Sequence, residues 1–236
     1  MLNFRAQVGR NRKDDAERPF WISYADLMTA LMVLFLASMT VALLVVTKKI
    51  VEEINEEDKR KFQISQCLES IELLAKQMGG VHVDKENRVI DFGDRARYDL
   101  NSYSLREEQV RFLRQFVPQV LKLARDESCS RWFKRVVVEG FTDLTGTYLH
   151  NLQLSLQRAH RVLCVLLDER LQPSISRQDR EQIQELFLVG GYSFNLARSS
   201  PEASRRIELR LEFLTVNEPR PPRVENLGNF GRCELL

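Results

Sequence analysis

Asp26 is the one charged residue between Phe20 and Val46, a stretch otherwise made of apolar, small and hydroxyl-bearing side chains. A carboxylate at the centre of a bilayer costs about 2.5–3.5 kcal/mol on insertion scales, less near the surface, so such a group faces protein or water and not lipid. Placed so, it is suited to hold a cation or to relay a proton. At helical spacing Ser23, Thr29, Ala30, Val33, Ala37 and Thr40 share its face, all of them small, hydroxylated or short, while Leu27, Leu31, Leu34 and Phe35 fall largely elsewhere. A stripe of small residues lets a second helix pack closely and suits a narrow polar path. The plainer reading, that Asp26 caps the helix or reaches the headgroups, stands beside it.

A second pair of charges lies far down the chain. Asp143 follows a strand-like run in a turn closed by Gly146, and Arg158 comes fifteen residues later on the next helix-like segment. A strand-turn-helix unit brings two such positions together. An Asp beside an Arg offers an acceptor for an ammonium and a fork of donors for a carboxylate, which is what a zwitterion needs. The alternative is an ion pair that only pins the helix to the sheet.

The elements that carry these residues divide the chain sharply. Of 236 residues, 35 are Lys or Arg and 33 are Asp or Glu, a net charge of +2, yet residues 27–46 contain no charge at all. Twenty helical residues rise about 30 Å, the thickness of a bilayer's hydrocarbon, so residues 19–47 read as one transmembrane helix. Pro19 suits the first turn of that helix, and Phe20, Trp21 and Tyr24 suit the headgroup layer. The apolar run is longer than a secretory signal peptide's and passes into Lys48 and Lys49 without a small-residue cleavage site, so the segment reads as an anchor. Flanking cations do not orient it: Arg5, Arg10, Arg12, Lys13 and Arg18 precede it, and Lys48, Lys49, Lys59, Arg60 and Lys61 follow. Residues 1–18 form a short tail.

Beyond the membrane segment, residues 48–80 read as an amphipathic helix stopped by Gly79 and Gly80, either a solvated spacer or a segment that pairs with a second copy or plugs a channel. Residues 81–215 alternate strand-like and helix-like runs: strands near 81–84, 88–93, 135–142, 186–193 and 205–215, helices near 105–125, 149–170 and 177–185. That order implies an α/β domain, a mixed sheet with helices on one face. Its last strand alternates Ile207, Leu209, Leu211 and Phe213 with charged residues, one face buried and one wet. Residues 216–236, with Pro219, Pro221 and Pro222, read as an extended strap or a mobile end.

Other chemistry is not suggested. His82, His150 and His160 have no metal-ligand spacing with the cysteines, and neither a phosphate-binding glycine loop nor a nucleophile elbow occurs, so neither cofactor nor metal is expected and the chain does not read as an enzyme. Cys67, Cys129, Cys164 and Cys233 are too widely spaced for a zinc site or redox pair. Cys164 falls on the apolar face of its helix, and a bond between Cys129 and Cys233 stays open if the domain is external. Arg205 and Arg206 read as solvated surface rather than a nucleic-acid platform.

Two stretches resemble known families. Residues 19–36, PFWISYADLMTALMVLFL, are similar to the membrane helix of MotB-type stator subunits, and within that group to the Zorya-type branch found in anti-phage defence. The resemblance implies that Asp26 binds the permeating ion, a proton or Na+, in a channel lined by Tyr24, Thr29, Ala30 and Val33 and shared with a multi-span partner of the MotA/ZorA type, the chain itself being a homodimer. Residues 138–166, VEGFTDLTGTYLHNLQLSLQRAHRVLCVL, with SRRIELRLEF at 204–213, resemble the OmpA-like peptidoglycan-binding signature, here with Phe141 where His or Tyr is commoner. This implies an OmpA-like α+β sandwich in which Thr142, Asp143, Asn151, Leu152 and Arg158 hold the diaminopimelate of a peptidoglycan peptide. Such a domain belongs outside a bacterial inner membrane, which places the N-terminus in the cytoplasm and residues 48–236 in the periplasm. A flagellar-type stator uses the same parts. A passive wall anchor, with Asp26 incidental, is the reading of a different class.

Overall fold

The computed structural model describes residues 14–222 together with Gly228, Phe230, Gly231 and Cys233, with side chains from Trp21 onward. The basic residues 5–13 counted above, and the side chains of Arg18, Pro19 and Phe20, lie outside that description. Two compact units divide at Asn55 and Glu56.

Helix α1, Asp14–Met78, belongs to both units. Neither Gly nor Pro occurs between Phe20 and Met78, so nothing local breaks it. It stops where Gly79 and Gly80 take φ of +70° and +75°, a conformation that costs glycine little, and Gly79 N–H still donates to Ala75 O at 3.0 Å.

In the second unit, β1 (His82–Asp84), β2 (Val89–Asp91), β3 (Phe133–Gly140), β4 (Phe187–Gly191) and β5 (Ile207–Phe213) form one sheet in the order β1-β2-β5-β3-β4. Only the β3–β4 pair is parallel, and its crossover carries helices α4 (Tyr148–Leu167) and α5 (Arg177–Leu186). Helix α2 (Glu107–Arg125) is followed at once by the short α3 (Glu127–Ser130), and the short α6 (Pro201–Ser204) leads into β5. The mixed α/β sheet with a single N-terminal apolar helix is the expected fold class.

One face of the sheet buries Val136, Val138, Ile207, Leu209 and Leu211 beneath α2 and α4. The other face, expected to be wet, is a mosaic of ion pairs. Arg210 grips both oxygens of Glu139 at 2.6 and 3.0 Å, Arg135 meets Glu212 at 2.6 Å, and Arg198 bridges Asp91 and Glu208. Glu139 is fully buried.

Two expectations change here, and one left open is narrowed. From Arg60 onward the segment 48–80 is not a solvated spacer: Ile64, Cys67, Leu68, Ile71 and Ala75 are at most 5% exposed in the core of the second unit, whereas residues 48–59 stay largely exposed. Their three-to-four spacing was a true helical face, and its partner is the domain itself. Arg60 Nε donates to Leu214 O at 2.6 Å and Gln63 accepts from Trp132 Nε1 at 2.6 Å, fixing the same stretch. The cysteines pair as Cys67–Cys129 and Cys164–Cys233, so Cys129 and Cys233 are not partners. Cys129 reaches the connector helix because that helix is part of the fold. Finally, the tail is a strap where it is described: Lys134 pairs with Glu218, Arg220 donates to Arg131 O at 2.9 Å, and Cys233 is tied to α4.

Candidate functional site

In the first unit, α1 from Trp21 is long and apolar enough to cross a membrane, and none of its apolar stretch is buried by the rest of the chain. Asp26, Thr29, Ala30 and Val33 are exposed on it, and the spacing of three, four and seven residues sets them on one side. Thr29 Oγ1 donates to Asp26 O at 2.9 Å, Ser38 Oγ to Phe35 O at 2.8 Å and Thr40 Oγ1 to Leu36 O at 2.7 Å. These hydroxyl protons are satisfied within the helix, and each oxygen keeps acceptor capacity for a neighbour. Tyr24 is turned about 160° from Asp26 at 100° per residue, so one helix does not offer both to one side.

The second unit places its charged residues by a close crossing of helix over sheet. At Gly140, the last residue of β3, an added Cβ would lie 2.0 Å from Ser155 O, and at Gly191 it would lie 2.6 Å from Leu156 Cγ. Only glycine lets α4 lie directly across these strand ends. Beyond the strand, Phe141 N–H donates to Arg206 O at 3.1 Å and Thr142 N–H to Ser193 O at 2.9 Å. Asp143 then opens the turn, its Oδ1 accepting Thr145 N–H at 3.0 Å, and Gly146 turns the chain with φ +97°. Asn151 holds the turn from the first coils of α4, Nδ2 to Thr145 O at 2.8 Å.

A cavity of about 270 Å³ lies between this turn, α4, Leu100 and Asn101, and Arg205, two residues before β5. Leu100, Asn101, His150 and Leu154 complete its wall around Thr142, Asp143, Asn151, Arg158 and Arg205. Arg158 is fully buried and donates to Ser102 O at 2.8 Å (Nε), Phe141 O at 2.7 Å (Nη1) and Asp99 O at 3.1 Å (Nη2). Its guanidinium also lies 5.0 Å from the centre of the Tyr98 ring. Burial lowers its pKa to about 10, with Tyr98 and Asp143 opposing the shift, so it stays charged at neutral pH. Those bonds use three of its five N–H groups, leaving one on each terminal nitrogen.

The expected Asp143–Arg158 pair is not made. Both groups face the same cavity, but Asp143 Oδ2 accepts from Arg205 Nη1 at 2.8 Å. Burial alone would raise the Asp143 pKa; the Arg205 and Thr145 hydrogen bonds outweigh it and hold the carboxyl below the usual range. Thr142 Oγ1 is buried without a hydrogen-bond partner, an unusual state for a hydroxyl, and it borders the cavity. Leu152 does not line it; Leu154 does.

Arg205 is not the solvated surface residue expected from its sequence, and the register shows why. Gly140 pairs with Ile207, so continuing the antiparallel ladder sets Arg206 beside Phe141 and Arg205 beside Thr142. Arg206, too, is buried, stacked 4.0 Å from the Phe141 ring centre and bonded to Glu208 at 2.6 Å. Two adjacent arginines before an alternating strand were the available signal.

Against this geometry, residues 6–57 match a family model described as membrane MotB of the proton-channel complex MotA/MotB. Over 216 residues the chain is 47% identical to the Zorya protein ZorB of Escherichia coli O139:H28, covering 90% of this chain and 88% of that protein. Among solved structures, it is similar to a putative MotB-like protein from Desulfovibrio vulgaris (15% identity, TM-score 0.44, 66% of this chain and 99% of that one). It is also similar to the periplasmic domain of Helicobacter pylori MotB (14% identity, TM-score 0.41, 59% and 83%).

Proposed function

The chain belongs to the family of the Zorya protein ZorB, and from that premise we propose that it is the membrane stator B subunit of an ion-driven motor complex in anti-phage defence. Two copies thread their helices through a MotA/ZorA-like multi-span partner, and Asp26 carries protons, or Na+, along the path that Thr29, Ala30 and Val33 border. The second unit grips peptidoglycan, so that the partner ring turns against a fixed point. The protein acts by conducting and holding, not by catalysis.

The observation that carries this reading is the family relationship across 90% of the chain. The cavity supplies its chemistry: Asp143 as acceptor for an ammonium, with the spare Arg158 donors and the unpartnered Thr142 hydroxyl for a carboxylate. Both disulfides lie in the second unit, and disulfides persist in oxidising compartments such as the periplasm. That supports a cytoplasmic N-terminus and a periplasmic second unit, an orientation the flanking charges leave undecided.

Pelleting full-length protein in detergent with isolated peptidoglycan sacculi tests the anchoring role. Wild type is expected in the pellet and Asp143→Asn mostly in the supernatant; equal sedimentation would remove the wall-holding role. In cells, Asp26→Asn is expected to abolish phage protection while the protein still inserts and assembles.

A further inference from the structure

The two disulfides of the second unit stand in different surroundings. Cys67 and Cys129 are 0% and 1% exposed, sealed within the core. Cys164 and Cys233 join the C-terminal turn of α4 to the C-terminal strap, and here Cys164 is 6% exposed and Cys233 only partly buried. A cavity of about 650 Å³ lies beside this second bond, bordered by both cysteines, with Leu163 and Leu167 of α4 and Phe230 of the strap in its wall. A small molecule entering it meets the sulfur bridge.

A disulfide exchanges when a thiolate attacks one sulfur and the other leaves, so access and the surroundings of the leaving sulfur decide which bond reacts. Cys233 is the more accessible partner. Cys164 Sγ lies 3.8 Å from Nε2 of His160, an exposed side chain one turn earlier on α4, which can hand a proton to that sulfur as it leaves. The buried Cys67–Cys129 bond offers no such approach. What the second bond holds is the strap, which is otherwise secured there by Gly228 N–H donating to Gln184 Oε1 at 2.9 Å and by the Phe230 ring, 5.1 Å from the Arg180 guanidinium.

We propose that Cys164–Cys233 is a thiol–disulfide exchange site for a small thiol of the glutathione class, and that exchange there releases the C-terminal strap. The incoming thiolate attacks Cys233 Sγ and forms a mixed disulfide with it while the bond to Cys164 breaks. The bonding pair leaves on Cys164 Sγ, which takes a proton by way of His160. A second thiolate then attacks the small-thiol sulfur of the mixed disulfide, and Cys233 leaves as a thiolate and is protonated. Two small thiols are oxidised to one disulfide, and one protein disulfide is reduced to two thiols. The site serves neither ion conduction nor wall holding.

The test incubates full-length protein in detergent with reduced glutathione, quenches with excess iodoacetamide at intervals and follows each cysteine by peptide mass spectrometry. Cys164 should be alkylated at least about fiftyfold faster than Cys67 or Cys129, with the transient glutathionyl group on Cys233. His160→Gln should slow labelling of Cys164 by about fivefold and leave the rate at Cys67 unchanged. Hydrogen exchange at the Gly228 amide should quicken by about tenfold once the bond is open, and as much without any thiol when Cys164→Ser and Cys233→Ser are combined. Reduction of the two bonds at rates within threefold of each other, or a glutathionyl group on Cys164, overturns the exchange site. A His160→Gln rate equal to wild type overturns the histidine's part, and unchanged exchange at Gly228 overturns the release of the strap.

Discussion

Replacing Gly140 by alanine changes one hydrogen to a methyl at the point where α4 crosses β3. The new carbon would lie 2.0 Å from Ser155 O, 2.9 Å from the Ser155 carbonyl carbon and 3.3 Å from Ala159 N, all backbone atoms. Reaching even a tight 3.0 Å requires the helix to lift by about 1 Å. A gap of that size forfeits a quarter to a half of the dispersion well at each contact it opens, and Ala159, Val162, Val165 and Leu166 all pack through α4. Overpacking of this kind costs about 1–3 kcal/mol and occasionally more, against which an alanine gains about 0.4–1 kcal/mol by stiffening the unfolded chain. The net expectation is a loss of about 1–2.5 kcal/mol, read as a lowered urea midpoint by Trp132 fluorescence in a Trp21→Phe background. Because α4 also carries Asn151 and Arg158, sedimentation with sacculi should weaken in parallel. Gly79→Ala is the control: φ there is +70° but the space is open, so only about 1 kcal/mol of backbone strain is expected. If Gly140→Ala unfolds within about 0.5 kcal/mol of wild type, the close crossing is not what seats the helix.

Further expectations follow from the same packing. Arg114 is buried and donates to the carbonyls of Val165, Leu166, Asp168, Leu171 and Pro173, closing the C-terminal end of α4; Arg114→Met, leaving those acceptors unpaired, should cost about 3–5 kcal/mol by chemical denaturation. The Cys67–Cys129 bond closes a separation of 62 residues, so Cys67→Ser should cost about 2–4 kcal/mol, and alkylation of native protein should label no cysteine until reductant is added. Arg170 beside Asp168 holds its carboxyl at about 2, against an ordinary 3.8. Because the folded value is depressed, that stabilisation is complete above the unfolded value and is lost as pH falls from about 4 towards about 2; thermal melts of Asp168→Asn should show a shallower loss across that interval.

The sequence carried the parts of this molecule whose signal is local. The uncharged run at 27–46, the glycine stop after Met78, the α4 face and the alternation of β5 all express a period within one element, and the structure has each. Pairing across distance was not legible. The face of Ile64, Cys67, Leu68 and Ile71 announced burial without saying against what, and the disulfide to Cys129 depends on that answer. Arg205 enters the cavity only because β5 runs antiparallel to β3 with Ile207 opposite Gly140, a register that no run of residues displays. Leu152 and Leu154 lie on the same helix, and only the docking of that helix decides which of them meets the cavity.

The central claim is that Asp26 carries ions through a channel shared with a multi-span partner, and proton flux measures it most directly. Full-length protein is reconstituted with its MotA/ZorA-like partner into liposomes holding a pH-sensitive dye, and a membrane potential is imposed. Wild-type complex should acidify the lumen, and Asp26→Asn complex, assembled to the same extent, should leave it at the rate of empty liposomes. Equal influx through both would contradict the account.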